Sequence, residues 1–382
     1  TECPAPHAKE FIRATLEPLV GKKTLYKGGL RIYTSLNQKL QMTAQNALHH
    51  QISTLQRELN KTVDGAIISI DPQSGEIKAL VGGINFKNSQ FNRALHARRQ
   101  IGSTIKPFLY TCALLEGHRL TDTAIDEPIE LELPEGSLWK PRNSIRQFEG
   151  EMTLARALST SNNIITIKTL LKIGTARFAQ FMEQFEIKQA IQPYPSLALG
   201  CIDCTLKEVV QMFNIFANSG TFVQATLIKS VRDSWGKKIF LPIAQKKQIV
   251  SSIYCAQIMS VLRTNITRAC KRRRASAFQL EAFGKTGTTN DSRTNWFVGA
   301  TPGLTTAVYV GCDDNSPLGK NIFGSGTAFP IWYKIHNSGS IQEPKLFHRP
   351  PGLNELQING KSGEPTNQNN SETISLLLPI AP

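Results

Sequence analysis

Gly284-Lys285-Thr286-Gly287-Thr288-Thr289-Asn290-Asp291-Ser292 is the stretch that orders the rest of this chain. Lys-Thr-Gly alone is a string of three common residues and carries little weight. Two strings upstream change that. Ser103-Thr104-Ile105-Lys106 sets a hydroxyl and an amine three residues apart, and Ser161-Asn162-Asn163 lies between them and the lysine stretch. The chain thus presents, in order, Ser-x-x-Lys, Ser-x-Asn and Lys-Thr-Gly.

These residue types suit acyl transfer. Ile105, Phe108, Leu109, Cys112 and Leu115 recur at helical spacing behind Ser103, and Pro107 is tolerable only near a helix start. Ser103 therefore reads as the opening of a helix, with an unpaired backbone N–H suited to a developing oxyanion. Lys106 lies one turn on, on the same face, within reach of the Ser103 hydroxyl. A serine needs a neighbouring base, and a lysine serves as one only when desolvation or a nearby cation lowers its pKa. Lys285 is such a cation. Ser161 offers a hydroxyl to relay a proton, and Asn163 an amide to hold Lys106 and substrate. Lys285, Thr286 and Thr288 on a cleft-edge strand would receive a substrate carboxylate. Gly287 would let the backbone come close to the ligand. The backbone N–H groups of Ser103 and Thr288 are the expected oxyanion hole.

Other strings compete. Ser137 to Lys140 and Ser234 to Lys237 also match Ser-x-x-Lys, but the first lies in a Pro-rich loop and the second in a Trp-Gly-Lys turn. Ser35-Leu36-Asn37 matches Ser-x-Asn and reads as a helix cap.

In this order the three strings mark serine acyl-enzymes that act on penicillin-like amides. The chain resembles the transpeptidase region of class A penicillin-binding proteins, the bifunctional peptidoglycan synthases. The likeness runs through Arg98 to Phe108, Trp139-Lys140-Pro141-Arg142-Asn143, Thr153 to Leu158, Trp296 to Pro302 and Gly324 to Trp332. Ala5-Pro6-His7 and Gly28 to Thr34 are similar to the linker ahead of that fold. Thr294 stands where the family usually has Asp, and Cys201 and Cys204 flank a turn that lacks cysteine in the family.

The resemblance implies an α/β fold of the penicillin-binding transpeptidase and serine β-lactamase type. Its central antiparallel sheet is flanked by helices, with a helical subdomain inserted. It implies a serine D,D-transpeptidase: Ser103, Lys106, Ser161 and Asn163 catalyse, and Lys285, Thr286, Gly287 and Thr288 bind substrate. Ser103 would attack the D-Ala–D-Ala bond of a peptidoglycan stem peptide and pass the acyl group to a second stem's amine. β-Lactams would acylate the same serine. A D,D-carboxypeptidase or β-lactamase-type hydrolase, with water as acceptor, is the alternative. So is a non-catalytic wall-binding scaffold, against which the complete residue set argues. The resemblance also implies a membrane-anchored parent protein with a glycosyltransferase domain, working at the extracytoplasmic (periplasmic) face of the bacterial inner membrane. On that reading the sequence is a fragment beginning in mid-linker.

At 382 residues with 40% hydrophobic content, the chain has ample material for a folded core. Its net charge of +15 favours anionic partners. The basic residues are dispersed and no nucleic-acid motif occurs, so wall polymer, stem-peptide carboxylates and lipid head groups fit better than nucleic acid. The one dense cluster, Lys271-Arg272-Arg273-Arg274 with Arg268 nearby, reads as a solvated loop, or as a contact with membrane or anionic glycan. Seven cysteines include a lone Cys201-x-x-Cys204, expected as free thiols, and the histidines show no metal spacing. No metal or cofactor is called for.

Three units are expected: an extended linker over 1–34, a transpeptidase domain over 35–349, and a polar, partly disordered tail over 350–382. Within the domain the sequence predicts a helix over 35–60 capped at Ser35 or Asn37. A hairpin follows around Asp71 to Gly75, then a loop over 120–150 and helices from 151 to 220. Three late strands over 282–311 and a helix over 323–336 complete it.

Overall fold

The computed structural model describes residues 4–132, 136–145, 147–240, 242, 244–276, 278, 280–289, 292–341, 344–368, 370 and 372–380. Asn290 and Asp291, in the opening stretch, lie outside them.

A five-stranded antiparallel sheet runs in the order Phe283–Thr288, Thr294–Thr301, Leu304–Gly311, Asp64–Ile70, Ile77–Val81. Three late strands thus join two early ones in a single sheet, as the sequence predicts. The strands alternate between two cores, because successive side chains point to opposite faces. Ile67, Phe297 and Val308 join the helices Gln38–Leu59 and Gly324–His336 on one face. Ala66, Ile68, Trp296, Val298 and Tyr309 face the helical subdomain on the other. Since both faces are covered, the strands read as continuous apolar runs. The Gln38–Leu59 helix is capped by Asn37, whose side chain accepts from Leu40 N at 2.9 Å. Asp71 closes the early hairpin, accepting from Ser74 N at 2.8 Å.

The subdomain is built from the helices Lys106–Leu115, Leu154–Thr160, Asn163–Ile173, Thr175–Glu183 and Leu206–Ala217, with the long helix Ser252–Arg273 beside it. Its centre is aromatic: Phe108 packs at centroid distances of 5.2 Å from Phe185 and 5.3 Å from Phe216. Edge-on and tilted ring contacts of this kind fix the start of the Lys106–Leu115 helix against Leu206–Ala217 and against the segment that follows Thr175–Glu183.

Four expectations give way. Residues 1–34 are not an extended linker. Pro6–Val20 and Lys22–Lys27 are helices, and Arg31–Thr34 pairs with Ile228–Arg232. Pro6 sits at a helix start, where it costs no hydrogen bond, and Leu16 is buried against Ile228 and Val231. The polar tail beyond 350 carries strands that its composition did not suggest, one on either side of 360–372. Leu353–Asn359 and Thr373–Pro379 form a hairpin whose Ile358, Ile374 and Leu376 enter the main core. The 120–150 loop contains short pairings, Thr123–Asp126 with Gly150–Thr153 and Leu131–Glu132 with Leu138–Trp139. Lys271–Arg273 form the last turn of the long helix rather than a loop, and Arg274 caps it in the left-handed region. That helix escapes a periodicity reading because residues 255–262 are buried without a break, which leaves no one-sided stripe.

Candidate active site

Ser103 lies in a 3-10 turn, Gly102–Ile105, that runs directly into the helix Lys106–Leu115. The turn is held from both sides. Gly102 N donates to Gly200 O at 3.2 Å, and Trp296 Nε1 donates to Gln100 O at 2.9 Å. Gly200 has φ +75°, and a Cβ there would lie 2.0 Å from Gly102 O, so only glycine fits. Ser137 and Ser234 sit outside helices, in an irregular segment and a turn.

Lys106 has 0% exposure. Its Nζ donates to Ser161 O at 2.7 Å, Asn162 O at 3.1 Å and Asn163 Oδ1 at 2.7 Å. Sequence reasoning directed the amine at Ser103; here its hydrogen bonds go to the Ser161–Asn163 segment. Burial, and then the Lys285 charge, push its pKa well below the usual lysine value. Three carbonyl-type acceptors suit an ammonium, while burial first and the Lys285 charge second oppose one.

Ser161 ends the helix Leu154–Thr160 in the left-handed region, φ 61° and ψ 37°. Asn162 N reaches back to Ala157 O at 2.8 Å and Ser161 N to Leu158 O at 3.2 Å, a Schellman closure with serine where glycine is usual. Asn162 then caps the next helix through Ile165 N at 2.9 Å. This kinked joint turns Ser161 O and Asn162 O toward Lys106, and Ser161 Oγ toward Lys285.

Lys285 is 2% exposed and donates to Ser161 Oγ at 2.9 Å and Thr286 O at 3.2 Å. Burial lowers its pKa to about 7. Strand alternation places Lys285 and Gly287 on one face and Thr286 and Thr288 on the other. Thr288 Oγ1 accepts from Gly324 N at 3.3 Å. Phe283–Thr288 is an edge strand. The carbonyls of Gly284 and Thr286 accept from side chains, Asn265 on the long helix and Lys285 of the strand itself, and not from the neighbouring strand. In an antiparallel pair alternate residues turn their backbone groups the same way, so Thr288 N also faces away from its neighbour strand. Gly102 brings the serine turn against it: a Cβ on Gly102 would lie 3.5 Å from Thr288 N.

Gly287 earns a different explanation from the one the sequence suggested. A Cβ there would lie 2.5 Å from Ile101 O and 2.8 Å from Thr104 Cγ2. The glycine lets the strand press on the serine turn.

A supporting layer was missed. Asn163 Nδ2 donates to Arg142 O at 2.8 Å, which turns its Oδ1 toward Lys106. Asn163 N donates to Asn143 Oδ1 at 2.9 Å, and Asn143 Nδ2 spans both oxygens of the buried Asp126 at 2.9 Å. Trp139 to Asn143 lay within the resembling stretches, but nothing local in that string signals a contact with a residue twenty positions on. Asn143→Ala should slow penicillin acylation roughly ten- to a hundredfold while shifting its pH profile, because the Asn163–Lys106 bond loosens. A rate loss with an unmoved profile would make Asn143 a packing residue only.

Cys201 and Cys204 are free thiols. Among the described residues no cluster of three His, Cys, Asp or Glu side chains is placed to hold a metal, and no helix is long and apolar enough to cross a membrane.

A hydroxyl on a helix-opening turn, two buried lysines and a serine–asparagine joint between them define a candidate serine acyl-transfer site. Residues 65–337 match the family described as the penicillin binding protein transpeptidase domain. The chain is 36% identical over 282 residues to penicillin-binding protein 1A of Neisseria lactamica, covering 71% of this chain and 35% of that protein. It is 35% identical over 306 residues to penicillin-binding protein 1B of Vibrio cholerae, covering 79% and 39%. Among solved structures, penicillin-binding protein 1A from Haemophilus influenzae superposes with a TM-score of 0.86 at 22% identity, over 98% of this chain and 76% of that one. The PonA1 protein from Mycobacterium tuberculosis in complex with penicillin V gives 0.78 at 23% identity, over 91% and 96%. The chain belongs to the penicillin-binding protein transpeptidase family, and its curated relatives are class A members of which it spans 35% and 39% of the length.

Proposed function

We propose that this chain is a serine D,D-transpeptidase that crosslinks peptidoglycan stem peptides through an acyl-enzyme on Ser103. One observation carries it. The buried Lys106 is held by Asn163 and by the Ser161 joint, while Lys285 reaches Ser161 Oγ from the opposite wall. Lys106, kept neutral by burial and by the Lys285 charge, takes the Ser103 proton as Oγ attacks the D-Ala–D-Ala carbonyl. The N–H groups of Ser103 and Thr288 receive the oxyanion. The proton reaches the leaving D-Ala amine through Ser161, and an amine of a second stem completes the exchange. Lys285, Thr286, Gly287 and Thr288 form the strand that receives the terminal carboxylate. β-Lactams acylate the same serine, and the transpeptidase unit is taken as 35–349. By analogy with the class A relatives, the parent protein works at the extracytoplasmic face of the inner membrane, anchored there with a glycosyltransferase domain.

The test is a D-Ala–D-Ala-terminated stem peptide supplied with an amine acceptor. D-Ala release with ligated product supports the proposal. Release with hydrolysed peptide alone assigns a carboxypeptidase, and sustained penicillin turnover a β-lactamase. No release and no labelling leaves a binding scaffold.

The pH dependence of carboxylate recognition has a definite sign. Lys285 carries its charge below about 7 and loses it above. The acylation rate constant for a β-lactam relative to its carboxylate ester should therefore fall as pH rises through that value. The expected loss is about ten- to a hundredfold, the worth of one charge-assisted contact. A ratio flat across that range removes Lys285 from carboxylate binding.

A further inference from the structure

The long helix Ser252–Arg273 ties the two walls of the cleft together at one end. It runs alongside the Phe283–Thr288 strand: Arg263 pairs with Glu281 at 2.6 Å and Asn265 Nδ2 donates to Gly284 O at 3.0 Å. Residue number rises the same way in both, so the basic last turn of the helix lies toward the Thr288 end. Arg273 Nη1 reaches Ser325 O at 3.4 Å, one residue from the Gly324 amide that meets Thr288 Oγ1. On the other wall, Arg268 Nη1 donates to Ser159 O at 2.8 Å, two residues before Ser161.

Charge is poorly balanced there. Lys271, Arg272, Arg273 and Arg274 are exposed, and among the described residues none of them has an ion pair. Arg272 stands one turn beyond Arg268 on the same face. Arg156 packs in from the neighbouring helix, with Glu149 as its carboxylate at 2.8 Å and its buried Nε without a partner among the described residues. Glu372 also lies near Arg156, and Lys361 holds it at 2.8 Å. Burial, then the charges of Arg156 and Arg272, hold Arg268 below the usual guanidinium pKa. Favourable placement of cations at a helix C-terminus accounts for one or two of these groups. It does not account for an arginine brought in from a second helix with a buried donor unused.

We propose that this cationic rim binds a carboxylate-bearing wall polymer, the chain that extends from the substrate seated in the cleft. The rim is continuous with both walls, and its exposed guanidinium groups match carboxylates in charge and geometry. Naming the polymer rests on the transpeptidase reading; the charge complementarity does not.

The test uses purified peptidoglycan sacculi, native or with carboxylates converted to amides, and vesicles of anionic phospholipid. The variant is Lys271→Gln/Arg272→Gln/Arg273→Gln, with Arg272→Lys/Arg273→Lys as the charge-keeping control. Native sacculi should bind the wild type, the triple variant should bind roughly tenfold more weakly, and amidated sacculi should show a similar loss for wild type. Raised salt should weaken the wild-type interaction. The charge-keeping control should bind like wild type, and penicillin labelling should be unchanged in all three proteins. Equal binding of the triple variant, indifference to amidation, or a loss confined to the vesicles overturns the proposal. Charge-dependent sacculus binding in a chain that penicillin does not label would sink the transpeptidase reading and leave the rim standing.

Discussion

Ser103→Ala should leave a folded protein that forms no covalent adduct with penicillin. Removing the attacking oxygen leaves no competent replacement in the cleft, because Ser161 Oγ already receives the Lys285 ammonium. Ser137 and Ser234 lie away from any helix start. Labelling should fall to background, a loss on the order of 10⁴-fold or more. Ser103 is half-buried on a turn whose backbone is held by Gly200 and Ile202. Its truncation should therefore move stability by only about 0.5 kcal/mol. Persistent labelling in a folded Ser103→Ala protein would assign the nucleophile elsewhere.

Removing the Lys106 amine should cost about 10²–10⁴-fold in acylation, the usual worth of a general base. The choice of substitution matters. Lys106 is among the largest fully buried side chains, and its amine satisfies Ser161 O, Asn162 O and Asn163 Oδ1. Alanine would open a cavity and strand three acceptors, at about 1–3 kcal/mol for each group left unpaired. Lys106→Met keeps the volume, so its stability loss should come mainly from the acceptors. In a Lys106→Met protein whose thermal unfolding remains cooperative, the rate of penicillin acylation reads the chemical role. Near-normal acylation there would move the base role to Ser161.

Much of this fold was legible because its strongest signals are local. Asn37, the Asp71 to Gly75 turn and the three late strands each declare themselves within a few residues. The failures are non-local. Pro6–Val20 is polar enough to pass for linker until Leu16 meets Ile228 and Val231. The tail hairpin is secured by Ile358, Ile374 and Leu376 finding a core built by other segments, and by Leu377 N donating to Ser260 Oγ at 3.1 Å. The long helix is buried on too many sides to show a stripe.

For the site, the three motifs named the residues that the structure brings together, apart from the face on which each lies. Period-two alternation separates Lys285 from Thr286 and Thr288, although a bare string suggests one lined surface. Gly287 answers to Ile101 and Thr104, contacts across nearly two hundred positions. The clamp from Asp126 through Asn143 to Asn163 had no sequence signature, since an asparagine in a loop has many uses.

The most direct measurement is intact-mass analysis after penicillin treatment, followed by peptide mapping of the adduct. One penicilloyl group per chain, on the peptide containing Ser103, is the predicted result. An adduct on the peptide containing Ser137, Ser161 or Ser234, or no mass increase in folded protein, would contradict the acyl-enzyme at the centre of this account.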